Sequence, residues 1–141
     1  RYFNVFGKRQ SKEYAGVIKL FLERIQQNKA PKINGDGLQT RDFVYVEDVV
    51  RANILAMDSN VKHQFFNVGM GYSISILDLA NMVIDAYGLS LKPIHISQLP
   101  GDIQASQADL ELINKLLEWK PTAKLADWLI EVISSKKFKD I

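Results

Sequence analysis

The stretch Ile33-Asn34-Gly35-Asp36-Gly37-Leu38-Gln39-Thr40-Arg41-Asp42-Phe43-Val44-Tyr45-Val46-Glu47-Asp48 confines the chain more than any other. It must turn, extend and coil within a few residues. Gly35 and Gly37 reach positive φ without steric cost, so Gly-Asp-Gly reads as a tight reversal. Phe43, Val44, Tyr45 and Val46 are strand formers, and Glu47-Asp48 places acids at the head of an apolar-periodic helix. Arg41 falls near the rim of the turn. It is either a surface arginine beside a hairpin or a group placed where a ligand anion would be met.

The same alternation of short strands and longer helices runs through the rest of the chain, which predicts an α/β fold. Tyr2 to Phe6 reads as a buried strand stopped by Gly7, and Lys8 to Glu13 as a polar loop. Tyr14, Val17, Ile18, Phe21, Leu22 and Ile25 then lie on one helical face, closed before Pro31. Ile33 is expected in a short strand, Glu47 to Met57 in a mostly buried helix, and Phe65-Phe66-Asn67-Val68 in a strand ended by Gly69. Ser75 with Asp78 forms a capping pair for a helix that Gly88 stops. Pro93 to Ile96 reads as a strand and Leu99-Pro100-Gly101-Asp102 as a turn. Ser106 with Asp109 looks like a second capping pair, and Pro121-Thr122 opens a last helix with Leu125, Trp128, Leu129, Val132 and Ile133 on its face. With no repeat, linker or low-complexity segment, residues 1–141 form a single domain.

Composition excludes several classes of function. A net charge of +2 gives no reason to expect nucleic acid or a membrane surface as partner, and the basic run 136–139 is a solvated helix end. No apolar run approaches the ~20 residues of a membrane span. Zero cysteines remove disulfides and thiolate metal sites, and fit a cytoplasmic location. His63 and His95 sit far apart on expected strands without partners at ligand spacing, so no metal site is expected. No Gly-x-Ser-x-Gly, Walker or dinucleotide glycine pattern occurs, and no catalytic residue is assigned. The features present are suited to holding a ligand rather than transforming one.

Four motifs in register give these residues a more specific meaning. They are Arg1-Tyr2-Phe3-Asn4-Val5-Phe6-Gly7; Gly35-Asp36-Gly37 leading into Arg41-Asp42-Phe43-Val44-Tyr45-Val46-Glu47-Asp48; Phe66-Asn67-Val68-Gly69; and Pro100-Gly101-Asp102-Ile103 with Ser106-Gln107-Ala108-Asp109. Their order resembles the C-terminal, substrate-binding portion of an extended short-chain dehydrogenase/reductase, a Rossmann-like fold. The similar branch is the NAD-dependent nucleotide-sugar epimerases and dehydratases, above all the UDP-glucose and UDP-N-acetylglucosamine 4-epimerases. The resemblance implies an N-terminal NAD-binding Rossmann domain that this chain lacks, with its glycine loop and Tyr-x-x-x-Lys pair. Lysine stands four residues after none of the five tyrosines here. NAD is therefore expected in a complete enzyme and not on this chain alone. The expected partners are a UDP-sugar and either the missing half or a second copy.

The resemblance also assigns roles. Asn4 matches a side chain that hydrogen-bonds the sugar diphosphate, or caps its strand. Tyr2 and Phe3 match backbone passing the nicotinamide, or serve as core aromatics. Val17, at a helix start, matches a position whose backbone N–H meets a phosphate. Pro31, Lys32 and Ile33 match the segment lining uracil through backbone groups. Arg41 matches the arginine that clamps the diphosphate, where a guanidinium fork suits phosphate oxygens. Asp102 matches the acceptor of the ribose hydroxyls, and Ser106 the position that gates the sugar 2-substituent, where a small side chain leaves room for an N-acetyl group. The pattern breaks at Leu99, where relatives carry a second arginine. Losing one desolvated charged contact costs roughly 2–5 kcal/mol of binding unless Arg9 or Lys32 replaces it. The expected function is the UDP-gripping half of a UDP-sugar 4-epimerase. A dehydratase or decarboxylase of the same family, or a stand-alone module binding nucleotide sugar or protein, are the alternatives.

Overall fold

The computed structural model describes residues 1–10 and 16–135. Tyr14 and the basic run 136–139 lie outside the described residues. Ten elements follow in order: β1 (Asn4–Phe6), α1 (Val17–Gln26), β2 (Lys32–Asn34), β3 (Thr40–Tyr45), α2 (Val46–Asp58), β4 (Ser73–Ser75), α3 (Ile76–Ala86), β5 (Ile94–Ile96), α4 (Glu111–Leu117) and α5 (Leu125–Ser134). The α/β expectation holds.

β3 is the centre of the molecule. It runs parallel to β1, with Asn4 opposite Phe43 and Phe6 opposite Tyr45, and antiparallel to β4, with Arg41 opposite Ile74. Because side chains alternate along a strand, β3 serves two cores at once. Phe43 joins Phe6, Phe21, Leu22, Leu79, Val83, Trp128 and Leu129 beneath α1, α3 and α5. Val44 faces the other way, into Val49, Ala52, Val68, Ile113, Leu117 and Trp119. Each fully buried apolar side chain of this size is worth about 1.5–3 kcal/mol relative to exposure, so both faces of β3 are held firmly.

The Gly-Asp-Gly turn does not close a hairpin. β2 pairs in parallel with β5, Ile33 opposite His95, and so belongs to a different sheet from β3. Gly37, at φ +80°, is pressed against the start of α3, where Leu77 N–H donates to its carbonyl at 3.0 Å. A side chain at Gly37 would stand 3.0 Å from both Ile33 Cγ2 and Leu77 Cβ. The turn therefore directs the chain towards β4 rather than back along β2. Arg41 accordingly sits within a strand and not on a hairpin rim.

Other expectations met the structure unevenly. Ser75 caps α3 as its sequence suggests, its Oγ accepting Asp78 N–H at 2.9 Å. Ser106 and Asp109 do not form a cap: α4 starts after Leu110, and Asp109 Oδ1 accepts Glu111 N–H at 2.9 Å instead. Phe65 to Val68 is not a strand, and only Val68 bridges, to Tyr2. His95 lies on β5, whereas His63 lies off any strand at φ +58°. β4, too short and polar to be recognised, arises by pairing with β3. α5 starts at Leu125 rather than at Pro121-Thr122; the Thr122 and Ala123 amides before it donate to the Asp48 carboxylate, at 2.9 and 3.1 Å. Among the described residues no helix is long and apolar enough to cross a membrane.

Candidate nucleotide-sugar site

Arg41 and Asp102, distant in sequence, are each other's partners. The guanidinium pairs with the Asp102 carboxylate through Nη2, while Nη1 donates to Thr40 O at 2.8 Å and Ile103 O at 2.5 Å. The side chains are 14% and 21% exposed, so the pair is sheltered but open to solvent. Asp102 is presented by the Leu99–Asp102 turn, closed by Asp102 N–H to Leu99 O at 3.3 Å with Gly101 at φ +77°. Leu99 itself is exposed. The cation at this turn is thus Arg41, which spans both Asp102 and the Ile103 carbonyl.

Gln39 links this pair to β2. Its amide donates to Asn34 O at 2.9 Å and reaches Asp102 Oδ2 at 3.5 Å, from a side chain only 6% exposed. On β2 Ile33 is fully buried, backbone included, and is paired with His95 of β5, while Lys32 is exposed.

Asn4 and Val17 converge elsewhere on the same side of β3. A cavity of about 210 Å³ is lined by Asn4, Val5, Gln10, Gly16, Val17, Ile18 and Phe43. α1 begins at Val17 behind Gly16, with no acid in its first turn and no side-chain cap among the described residues. Its leading amides are therefore donors at the positive end of the helix dipole. Asn4 faces Phe43 across the ladder, and Arg41 stands two residues before Phe43 on the same face, roughly 7 Å along the strand at ~3.3 Å per residue. Cavity and ion pair thus share one face.

Tyr2, Phe3 and Ser106 are not drawn into this grouping. Tyr2 donates its hydroxyl to Asn53 Oδ1 on α2 at 2.8 Å, and the Phe3 amide donates to Val68 O at 3.0 Å. Ser106 lies half-buried in the irregular segment between Gln104, whose carbonyl accepts Thr40 N–H at 2.9 Å, and Ala108.

Three polar residues that sequence reasoning passed over organise the surroundings. One is Gln39. Asp42, fully buried, accepts from the backbone amides of Met70 at 2.5 Å, Gly71 at 2.9 Å and Ala108 at 3.0 Å. It pins two remote loops to β3, and a side chain at Gly69 would come within 2.9 Å of its carboxylate and 2.5 Å of Ala108 Cβ. Asp48 accepts from Arg51 at 2.5 Å and from Thr122 and Ala123, while Trp119 Nε1 donates to its carbonyl at 3.0 Å. Burial pushes the Asp48 carboxyl up, but hydrogen bonds from Arg51, Thr122 and Ala123 outweigh it and hold it below the ordinary carboxylate value. The signal available in sequence was an acid set inside a strand, at Asp42, and at a helix start, at Asp48. Nothing in the spacing showed which distant amides would satisfy them. Among the described residues no cluster of His, Cys, Asp and Glu is arranged to hold a metal ion.

Comparison with known proteins adds the family. The sequence profile of the NAD dependent epimerase/dehydratase family matches residues 1–69. The chain is 36% identical over 138 residues to a putative UDP-glucose 4-epimerase of Methanocaldococcus jannaschii, covering 97% of this chain and 44% of that protein. UDP-glucose 4-epimerase of Thermotoga maritima, solved with UDP-glucose, superposes with a TM-score of 0.90 at 34% identity, over 99% of this chain and 45% of that one. UDP-N-acetylglucosamine 4-epimerase of Methanobrevibacter ruminantium, solved in complex with UDP-N-acetylmuramic acid, gives 0.88 at 35% identity, over 99% and 45%. The fold is that of the extended short-chain dehydrogenase/reductases, and the chain belongs to the NAD-dependent epimerase/dehydratase family. Within it, these matches are UDP-sugar 4-epimerases. The chain spans less than half the length of the relatives it matches.

Proposed function

We propose that this chain is the substrate-binding part of an NAD-dependent UDP-sugar 4-epimerase, acting in the cytoplasm on UDP-glucose or UDP-N-acetylglucosamine and their C4 epimers. The observation that carries the reading is the placement of Arg41, held by the Asp102 turn on the same face of β3 as the Asn4–Val17 cavity. In this reading the Arg41 guanidinium and the leading amides of α1 hold the diphosphate, with the Asn4 amide beside them. Asp102 accepts from the ribose hydroxyls, the backbone at Lys32, exposed between buried Pro31 and Ile33, lines the uracil, and Ser106 leaves room for the sugar 2-substituent. Arg41 binds a phosphate by sharing its fork with Asp102, since a guanidinium has five donors and the contacts described use three. The chain's work is to fix the nucleotide so that the sugar can turn, binding energy spent on positioning.

NAD would supply hydride transfer in the complete enzyme. The residues here do not fit a dinucleotide by themselves: the Tyr2 hydroxyl and the Phe3 amide are committed to Asn53 and Val68. The NAD-binding half, or a second copy of the chain, is the partner in this reading.

Calorimetry with UDP-glucose tests the proposal. Micromolar-to-millimolar binding that Arg41→Ala weakens by about 10–100-fold is expected. An unchanged dissociation constant in Arg41→Ala removes Arg41 from the site.

A further inference from the structure

A ligand that recruits Arg41 creates a difficulty for Asp102. Asp102 Oδ1 is paired with Arg41, and the turn that carries it is exposed at Leu99 and Gly101, where a side chain on Gly101 would meet nothing within 4 Å. When the guanidinium shares its fork with a diphosphate, its hold on Asp102 weakens at the moment that carboxylate must stay still for the ribose. Among the described residues the other side-chain donor directed at its carboxylate is the Gln39 amide, 3.5 Å from Oδ2; Gln104 Nε2 donates to the Asp102 carbonyl instead, at 3.4 Å. The Gln39 amide is well placed to take over. It is nearly buried, and burying an amide is costly unless its hydrogen-bonding groups are used. It is anchored by the 2.9 Å bond to Asn34 O. Its backbone is fixed as well, Gln39 O accepting Ile76 N–H at 3.0 Å from the first residue of α3.

We propose that Gln39 is a positioning residue of the nucleotide-sugar site, holding the Asp102 carboxylate for the ribose while Arg41 is shared with the diphosphate. The inference rests on the binding reading above. Gln39 touches no ligand atom in it; it acts through Asp102. The bond to Asn34 also ties the end of β2, the base-side strand, to the ribose-side carboxylate, so that base and sugar are gripped as one unit.

The test is UDP binding by calorimetry to the chain and to Arg41→Ala, Gln39→Met, Asp102→Ala and Gln39→Met/Asp102→Ala, with thermal melts of each. Methionine keeps the length and volume of the buried side chain and removes its donors. Gln39→Met is expected to weaken UDP binding by about tenfold, the worth of one lost hydrogen bond to a charged group. In the Asp102→Ala background the same substitution should cost less than twofold, because a residue acting through Asp102 has nothing left to position. Wild-type affinity in Gln39→Met, or equal losses in both backgrounds, overturns the proposal. If Gln39→Met does not fold, Gln39→Glu takes its place in the same cycle. That carboxylate repels Asp102, so the same loss in the wild-type background and none beyond it with Asp102→Ala supports the proposal, and an additive loss overturns it. Failure of the underlying reading looks different: Arg41→Ala then binds UDP as the wild type does, whatever Gln39 shows.

Discussion

Arg41 and Asp42 are neighbours on β3, carry opposite charges and point to opposite faces of one sheet, yet they do different work. Asp42 is sealed from solvent and satisfied by three backbone amides from two other loops. Its partners are parts of the framework, and none can leave without leaving a buried group unpaired. Arg41 is partly open, its main partner is a side chain on an exposed turn, and two of its donors are not used by the contacts described. The difference is in who the partners are. A charge bonded to backbone builds the fold, whereas one bonded to another side chain beside a cavity remains available for exchange.

Substitutions should separate the two roles. The largest effect is expected from Asp42→Ala, which strands three backbone amides, that of Ala108 buried and those of Met70 and Gly71 partly so, and should destabilise the chain by about 3–5 kcal/mol, read from the urea midpoint. A loss under 1 kcal/mol would show that the loops do not depend on it. Next comes acid. The Asp48 carboxyl is held below its ordinary value, so its contribution is complete above the unfolded carboxyl pKa near ~3.9 and is lost as pH falls from there through the lower folded value. Stability measured between pH 6 and 2 should fall less steeply in Asp48→Asn than in the wild type; equal slopes would deny the linkage. Arg41→Ala follows, with a stability change of only about 1 kcal/mol for a partly exposed pair, set against its large effect on UDP-glucose binding. A collapse in stability would move Arg41 into the architectural class with Asp42. The smallest effect is Ser75→Ala, which removes the cap of α3 and should cost about 1 kcal/mol, seen as a modest drop in melting temperature.

The same contrast explains what could be read from the sequence. Elements governed by local chemistry were legible: the Ser75 cap, the face of α1, the strand–helix sequence of β3 and α2, and the Leu99–Asp102 turn. Elements fixed from a distance were not. Ser106 and Asp109 have the spacing of a cap, but the Asp42 carboxylate draws Ala108 onto β3 and α4 starts only after Leu110. The Gly-Asp-Gly turn has hairpin chemistry, yet β2 finds β5 some sixty positions later. β4 exists only because β3 pairs with it. For the site, family resemblance marked Arg41 and Asp102 separately; that they are bonded to one another, with Gln39 beside them, required the fold.

Asp42 also bears on how the molecule comes together. Its three donors stand 28, 29 and 66 positions further along the chain, so the carboxylate must stay hydrated until much of the chain has condensed around it. Contacts of such long range form late, after the local helices. A substitution there should leave the folding rate nearly unchanged and accelerate unfolding. The residue that fastens the framework would then act as a lock on the finished structure rather than as a seed for it, setting how long the folded chain lasts more than how fast it forms.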